Sequence, residues 1–147
     1  MYNKDLKING LERVLLSLVI VVHLMFFLLE AIFWMLPEVN TILIGLLDNP
    51  VTSDVHLQAL TLKNLFINQG FYNLFLVAAG IVGWRLIYLG KVTSGYVLLL
   101  FLCFSATGAG ITLACSTKAY ILALMQALPA AVTFILLYPA YQKALKC

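Results

Sequence analysis

The chain has 147 residues, of which 63% are hydrophobic and 10% are charged, and its formal net charge is +3. This composition excludes an ordinary soluble domain and indicates a polytopic membrane protein. A charge this small, spread over loops and ends, forms no basic surface, so we expect no nucleic-acid partner. The three cysteines, Cys103, Cys115 and Cys147, have neither a disulfide framework nor a zinc spacing, so no metal or cofactor is predicted.

The first predicted span follows a short polar segment at the amino terminus. Asn9 and Glu12 have the spacing of an N-cap residue and the carboxylate three positions later, which predicts a helix start. Residues 14–36 then form a run of 23 that is apolar except at three positions. At about 1.5 Å per residue this run can cross a hydrocarbon layer of about 30 Å.

Glu30 is the anomaly of that span, because a carboxylate inside lipid is costly unless it is neutralised or given polar partners. An ionisable side chain in a span is therefore a functional-site hypothesis by default. His23 precedes it by seven residues and lies about 20° away around the helix, with Phe27 and Trp34 on the same side. Glu30 and His23 are the candidate catalytic residues if the protein is an enzyme.

Three more spans are predicted, and together they form one integral membrane domain over residues 1–147. The outer loop, residues 37–61, holds a short apolar piece at 41–47 that is expected to lie at the membrane interface. Thr52, Ser53 or Asp54 is expected to cap the next helix. The four spans are predicted at about residues 12–36, 62–85, 96–115 and 119–141. The fold class is an all-α, polytopic four-transmembrane-helix bundle.

The basic residues are distributed unequally between the two sides of these spans. Seven fall on one side: Lys4, Lys7, Arg13, Arg85, Lys91, Lys143 and Lys146. Lys63 and Lys118 fall on the other. The positive-inside rule then predicts a multi-pass protein of the cell membrane with both termini in the cytoplasm.

Polar residues of all four spans are predicted to converge in the outer half of the membrane. Counted along each helix, Glu30 and Gln69 lie about 9 and 10 Å below the outer boundary, Gln126 about 12 Å and Asn73 about 16 Å. The ligand-binding residues predicted from depth and helical periodicity are His23, Phe27, Glu30, Trp34, Asn68, Gln69, Tyr72, Asn73, Thr112 and Gln126.

Helical periodicity also predicts the inward face of the third span. That face comprises Phe101, Ser105, Gly108, Thr112 and Cys115. Four glycines are interpreted as positions where helices approach closely, since small residues favour packing in lipid. These are Gly80, Gly83, Gly108 and Gly110.

The polar residues also form a recognisable pattern. It consists of His23, Glu30 and Trp34, then NQGFYN at residues 68–73, GAGIT at 108–112 and QALPA at 126–130. This pattern, over about residues 23–139, resembles a family of small four-helix integral membrane proteins known as domain of unknown function thirteen-oh-four. NQGxYN is its specific part. The resemblance implies a membrane protein with this motif set and supplies no activity.

Three functions are open at this point. The protein binds or transports a small amphipathic molecule with Glu30 as an exchangeable-proton site, and as a carrier it is expected to form a homodimer. Alternatively, it is a membrane-embedded acid/base enzyme, similar to an isomerase, acting on a lipophilic substrate through Glu30 and His23. The third alternative is a structural bundle whose polar residues only pair helices. Binding or transport of a lipid or other amphiphile ranks first, because no nucleophile, metal cluster or cofactor motif accompanies the acid.

Overall fold

A computed structural model describes residues 8–47 and 54–146. Within these ranges the chain is helical and has no β-strand. The helices are α1 (Gly10–Phe27), α2 (Pro37–Leu46), α3 (Val55–Tyr88), α4 (Val92–Ser116) and α5 (Tyr120–Ala144), and a π-helical turn (Leu28–Ile32) continues α1. Four of them, α1 with its π-helical turn, α3, α4 and α5, are long and apolar enough to cross a membrane. The predicted all-α class with four membrane-spanning helices is confirmed.

Two helix starts follow the predicted capping chemistry. The Asn9 side chain accepts from the Glu12 backbone N–H, and the Glu12 carboxylate accepts from the Asn9 N–H. Asp54 caps α3 by accepting from the His56 N–H at 2.8 Å. The alternative caps, Thr52 and Ser53, lie outside the described residues. Because α3 begins just after Asp54 and has 34 residues, it is about 51 Å long and includes part of the predicted outer loop.

The four long helices form a ring in which α1 and α4 each contact both α3 and α5. At one end of this ring lie α2 and the connection from α4 to α5; we name it the α2 end. At the opposite end, the termini end, the start of α1 meets the last turn of α5, where Ile8 and Ala144 share one apolar cluster.

Glycines set where neighbouring helices approach most closely. Gly70 in α3 meets the π-helical turn, since a Cβ there would lie 2.8 Å from the Ala31 Cβ. Gly110 in α4 meets α5, where a Cβ would lie 2.7 Å from the Ala123 carbonyl oxygen. Both contacts are at the α2 end. The α3–α4 pair instead closes at the termini end, where a Cβ on Gly95 would lie 2.6 Å from the Gly83 carbonyl oxygen.

The close contacts at glycines thus lie at two levels of the bundle. At the α2 end, Gly70 brings α3 against the π-helical turn and Gly110 brings α4 against α5. The close contact of α3 with α4 at Gly83 and Gly95 lies towards the termini end.

The inward face predicted for the third span is wrong in part. Phe101 is 56% exposed, Cys115 is exposed, and a Cβ on Gly108 would have nothing within 4 Å. The buried stripe of α4 includes Leu99, Cys103, Ala106 and Gly110. The reason is that α4 packs against both α3 and α5, so its buried residues are the large apolar and small residues at those two contacts rather than the polar ones.

The chain after the π-helical turn folds back onto α3. Trp34 is fully buried there, its indole N–H donates to the Ala59 carbonyl at 2.9 Å, and its ring stacks on Phe66 at a centroid distance of 3.7 Å. Leu43 and Ile44 of α2 complete this cluster. The apolar piece at residues 41–47, predicted to lie at the interface, thus forms most of a short helix packed on α3.

Candidate functional site

Glu30 lies in the π-helical turn, where the Phe33 N–H donates to the Leu28 carbonyl at 2.8 Å. Such turns contain one extra residue. They are rare in proteins as a whole, and those that occur are often found at functional sites. The turn presses against Gly70, since a Cβ on that residue would lie 3.2 Å from the Glu30 Cβ. The missing side chain at position 70 therefore lets Glu30 approach α3.

Asn73 of α3 is the hydrogen-bond partner of Glu30 within the described ranges. Its side-chain amide Nδ2 donates to the Glu30 Oε2 at 2.9 Å and also to the backbone carbonyl of Gln69 at 3.3 Å. Asn73 is only 4% exposed, so this bond joins α1 and α3 inside the bundle. The carboxyl group thus has the kind of polar partner that a group in a membrane span requires.

A cavity of about 320 Å³ occupies the space between the helix pairs at the α2 end. Its lining comprises Phe26, Glu30, Gln69, Asn73, Ala109, Thr112, Leu113, Ser116 and Gln126. All four long helices, counting the π-helical turn with α1, contribute to it. Gln69, Thr112 and Ser116 are exposed, so the mouth lies between α3 and α4. The volume is at the lower end of the roughly 300–1,000 Å³ typical of small-molecule sites.

A second, smaller pocket of about 40 Å³ lies beside the first and beneath α2. The two share Phe26, Glu30 and Leu113. The remaining lining of the smaller pocket is apolar and comprises Leu29, Leu43, Leu47, Phe66 and Leu122. Glu30 therefore lies where a polar cavity meets an apolar one.

His23 is fully buried and lies outside the described lining of the cavity. Its Nδ1 is 2.8 Å from the Val19 carbonyl oxygen. Since a carbonyl can only accept, Nδ1 carries a proton. Its Nε2 is 3.4 Å from the side-chain nitrogen of Gln126, which does line the cavity. His23 thus contacts the site through Gln126.

Half of the predicted ligand-binding residues meet in the cavity lining: Glu30, Gln69, Asn73, Thr112 and Gln126. The others lie elsewhere. Phe27 packs edge-on against Phe71 at 5.6 Å between centroids, and Trp34 belongs to the cluster beneath α2. Tyr72 is 61% exposed and Asn68 is also exposed, both outside the described lining.

Four lining residues were not predicted: Phe26, Ala109, Leu113 and Ser116. Phe26, Ala109 and Leu113 have no polar side-chain atom, so a search for polar side chains passes over them, and Ser116 lies just beyond the predicted span 96–115. Helical spacing offers a signal for two of them. Ala109 and Ser116 lie three residues before and four residues after Thr112, on the same face of α4.

The part of the chain that the structure describes contains no cluster of metal-ligating side chains. No group of three or more His, Cys, Asp or Glu side chains lies close enough there to hold an ion. What the cavity offers instead is one carboxyl group, three amides and two hydroxyl groups. Two of the amides lie at hydrogen-bonding distance from Glu30 or from His23.

Together the helices and this cavity define a multi-pass helical membrane protein with a polar site between its spans. Residues 17–138 match the family model described as "Protein of unknown function (DUF1304)", and the chain belongs to that family. The family resemblance predicted from the sequence is thereby confirmed. Neither a curated protein nor a solved structure matches the chain.

Proposed function

We propose that this protein binds a small amphipathic molecule in the cavity beside Glu30, and that Glu30 exchanges a proton as the molecule binds and leaves. The observation that carries this proposal is the position of the Glu30 carboxyl group, which lines both the polar cavity and the apolar pocket beneath α2. A molecule with a polar head and an apolar body fits that boundary. We further propose that the α2 end faces the outside of the cell, so that the mouth opens in the outer half of the membrane.

The proton-exchange role is supported by the lack of a competing group. Among the described residues that line the two cavities, Glu30 is the one side chain that titrates in the ordinary pH range. His23 is the titratable side chain behind it, and it faces Val19 and Gln126. When no ligand is bound, a carboxyl group that carries a proton avoids the cost of a charge in the membrane interior.

The geometry favours binding over the acid/base alternative. An enzyme that used His23 and Glu30 together would direct both side chains at one substrate. Both ring nitrogens of His23 instead have partners within the protein, and the ring lies outside the cavity lining. If the protein is a carrier, the molecule would bind at this same site and would in addition be moved across the membrane.

Filling the cavity is expected to remove binding. Ala109 lines the cavity on α4 and is half-buried, so Ala109→Leu places additional carbon atoms in the space that the molecule would occupy. We expect affinity to fall about tenfold or more, equivalent to about 1.4 kcal/mol. The measurement is native mass spectrometry of the full chain in bilayer discs of uncharged phospholipid, titrated with decylamine, decanol and decanoate.

Ala114→Leu is the matched control, because Ala114 is also half-buried on α4 and lies outside the described lining. The proposal predicts that at least one of the three probes binds one molecule per chain, and that Ala109→Leu weakens this binding while Ala114→Leu does not. Equal effects of the two variants, or no saturable binding of any probe, would overturn the proposed binding function. The interpretation that the polar residues only pair helices would then remain.

A further inference from the structure

The donors in the cavity wall are largely used within the protein, which restricts what the cavity can bind. Asn73 shows this most clearly. The Gln69 backbone carbonyl can only accept, so the nearby atom of the Asn73 amide must be its nitrogen. That nitrogen donates to Gln69 and to Glu30, which uses both of its N–H groups and leaves the amide oxygen as an acceptor.

The two hydroxyl groups of the lining are used in the same way. The Thr112 hydroxyl donates to the Gly108 carbonyl at 3.0 Å, and the Ser116 hydroxyl donates to the Thr112 carbonyl at 2.7 Å. Each hydroxyl has a single proton, and each therefore presents lone pairs to the cavity. On this side the wall is a line of acceptors along α4.

Gln126 is oriented by His23. The His23 Nδ1 carries a proton because it faces the Val19 carbonyl, so in the neutral ring Nε2 is an acceptor. The Gln126 amide then donates one N–H to that nitrogen, at 3.4 Å between the nitrogens. This bond fixes which end of the amide is nitrogen and leaves its oxygen as a further acceptor. His23 is thus a positioning residue for the cavity wall.

The sum is a cavity with many acceptors, few donors and no cationic side chain in its described lining. Two lining side chains keep amide N–H groups without a hydrogen-bond partner among the described residues: Gln69, which is exposed at the mouth, and Gln126, whose second N–H is not used by His23. From this balance we infer that the ligand is an amphipathic organic cation, a primary or secondary ammonium on an apolar body, whose N–H groups donate to Glu30 and to the surrounding acceptors. This inference rests on the proposed function and names its ligand class.

The exchange balances without any other reactant. The ammonium enters with all its protons and one positive charge, and the Glu30 carboxyl group releases its proton to water. A neutral ammonium–carboxylate pair remains in the cavity, and no covalent bond of the ligand changes. Charge-assisted hydrogen bonds of this kind are about twice as strong as neutral ones. Acid conditions therefore oppose binding, because protons compete with the cation for Glu30.

The three decyl probes distinguish the ligand classes because they share one chain length and differ in the head group. We expect decylamine to bind at least about tenfold more tightly than decanol, because its ammonium group makes charge-assisted hydrogen bonds. Decanol is expected to bind more tightly than decanoate, since decanol can donate one hydrogen bond and decanoate can only accept. Decylamine affinity is expected to rise from acidic to neutral pH. In Glu30→Gln we expect both the amine preference and this pH dependence to disappear.

Thr112→Val supplies a second test should Glu30→Gln fail to fold. It removes one acceptor from an exposed position and is expected to weaken decylamine binding about tenfold, the lower end of the scale for a hydrogen bond to a charged group. Thr107→Val is its control, because the Thr107 hydroxyl makes the same kind of bond to the Cys103 carbonyl from outside the described lining.

The outcomes separate the two proposals. If decanol or decanoate binds as well as decylamine, and Ala109→Leu still weakens that binding, the cation inference is overturned and the proposed binding of an amphipathic molecule in the cavity stands. If no probe is sensitive to Ala109→Leu, the proposed function is overturned as well. An unchanged amine preference in a folded Glu30→Gln also contradicts the inference.

Discussion

Replacing Trp34 by alanine is expected to lower the free energy of unfolding by about 3–5 kcal/mol, the range measured for large aromatic residues in protein cores. Trp34 is 1% exposed, stacks on Phe66 with ring planes 9° apart and donates to the Ala59 carbonyl. These contacts hold the segment after the π-helical turn against α3. The measurement is denaturant-driven unfolding of the detergent-solubilised chain followed by far-ultraviolet circular dichroism.

Trp34→Phe is the control for this prediction. It keeps an aromatic ring on Phe66 and removes the indole N–H, so we expect a smaller loss of about 1 kcal/mol, typical of one hydrogen bond. Equal losses for the two variants would show that the hydrogen bond, rather than the buried ring, holds this segment. A loss below about 1 kcal/mol for Trp34→Ala would contradict the packing described for the α2 end.

Gly110→Ala is expected to destabilise the bundle by about 1–3 kcal/mol, the usual cost of adding a carbon atom to a tightly packed contact. The added Cβ would lie 2.7 Å from the Ala123 carbonyl oxygen and 2.8 Å from the Ala127 backbone nitrogen. Backbone atoms cannot move aside as side chains do, so α4 and α5 must separate. The same unfolding measurement reports this loss.

Gly108→Ala is the matched control on the same helix, two residues away. A Cβ there meets nothing within 4 Å, so the helix preference of alanine should leave stability unchanged or raise it by about 0.5–1 kcal/mol. Equal destabilisation by the two variants would contradict the α4–α5 contact. The pair also separates glycines that permit close approach from those that do not, which the sequence did not distinguish.

The helices follow from local signals in the sequence. Asn9 and Glu12 predict the start of α1, and residues 52–54 offer three candidate caps for the next helix, because capping depends on residues within one turn. In the structure Asp54 is the cap of α3. The long apolar runs predict the four membrane helices for the same local reason. The π-helical turn has no such signal, since neither proline nor glycine interrupts residues 28–32. The turn packs closely against Gly70 of α3, a long-range contact that the local sequence does not reveal.

The candidate site was predicted where depth and side-chain chemistry agreed. Glu30, Asn73 and Gln126 are predicted to lie together because a polar group deep in a span needs a partner, and all three line the cavity. Trp34 was placed on the Glu30 face by counting along a continuous helix, and the π-helical turn ends that helix before position 34. Ala109 and Leu113 carry no polar atom, so only the packing of the helices identifies them as cavity lining.

The most direct test of the account is an experimental structure of the full chain in bilayer discs with decylamine present. We expect density for one molecule in the cavity between α3 and α4, with its nitrogen within hydrogen-bond distance of the Glu30 carboxylate. Decylamine density confined to the outer surface of the helices, with the Asn73 amide still the partner of Glu30 and the cavity closed by side chains, would contradict it.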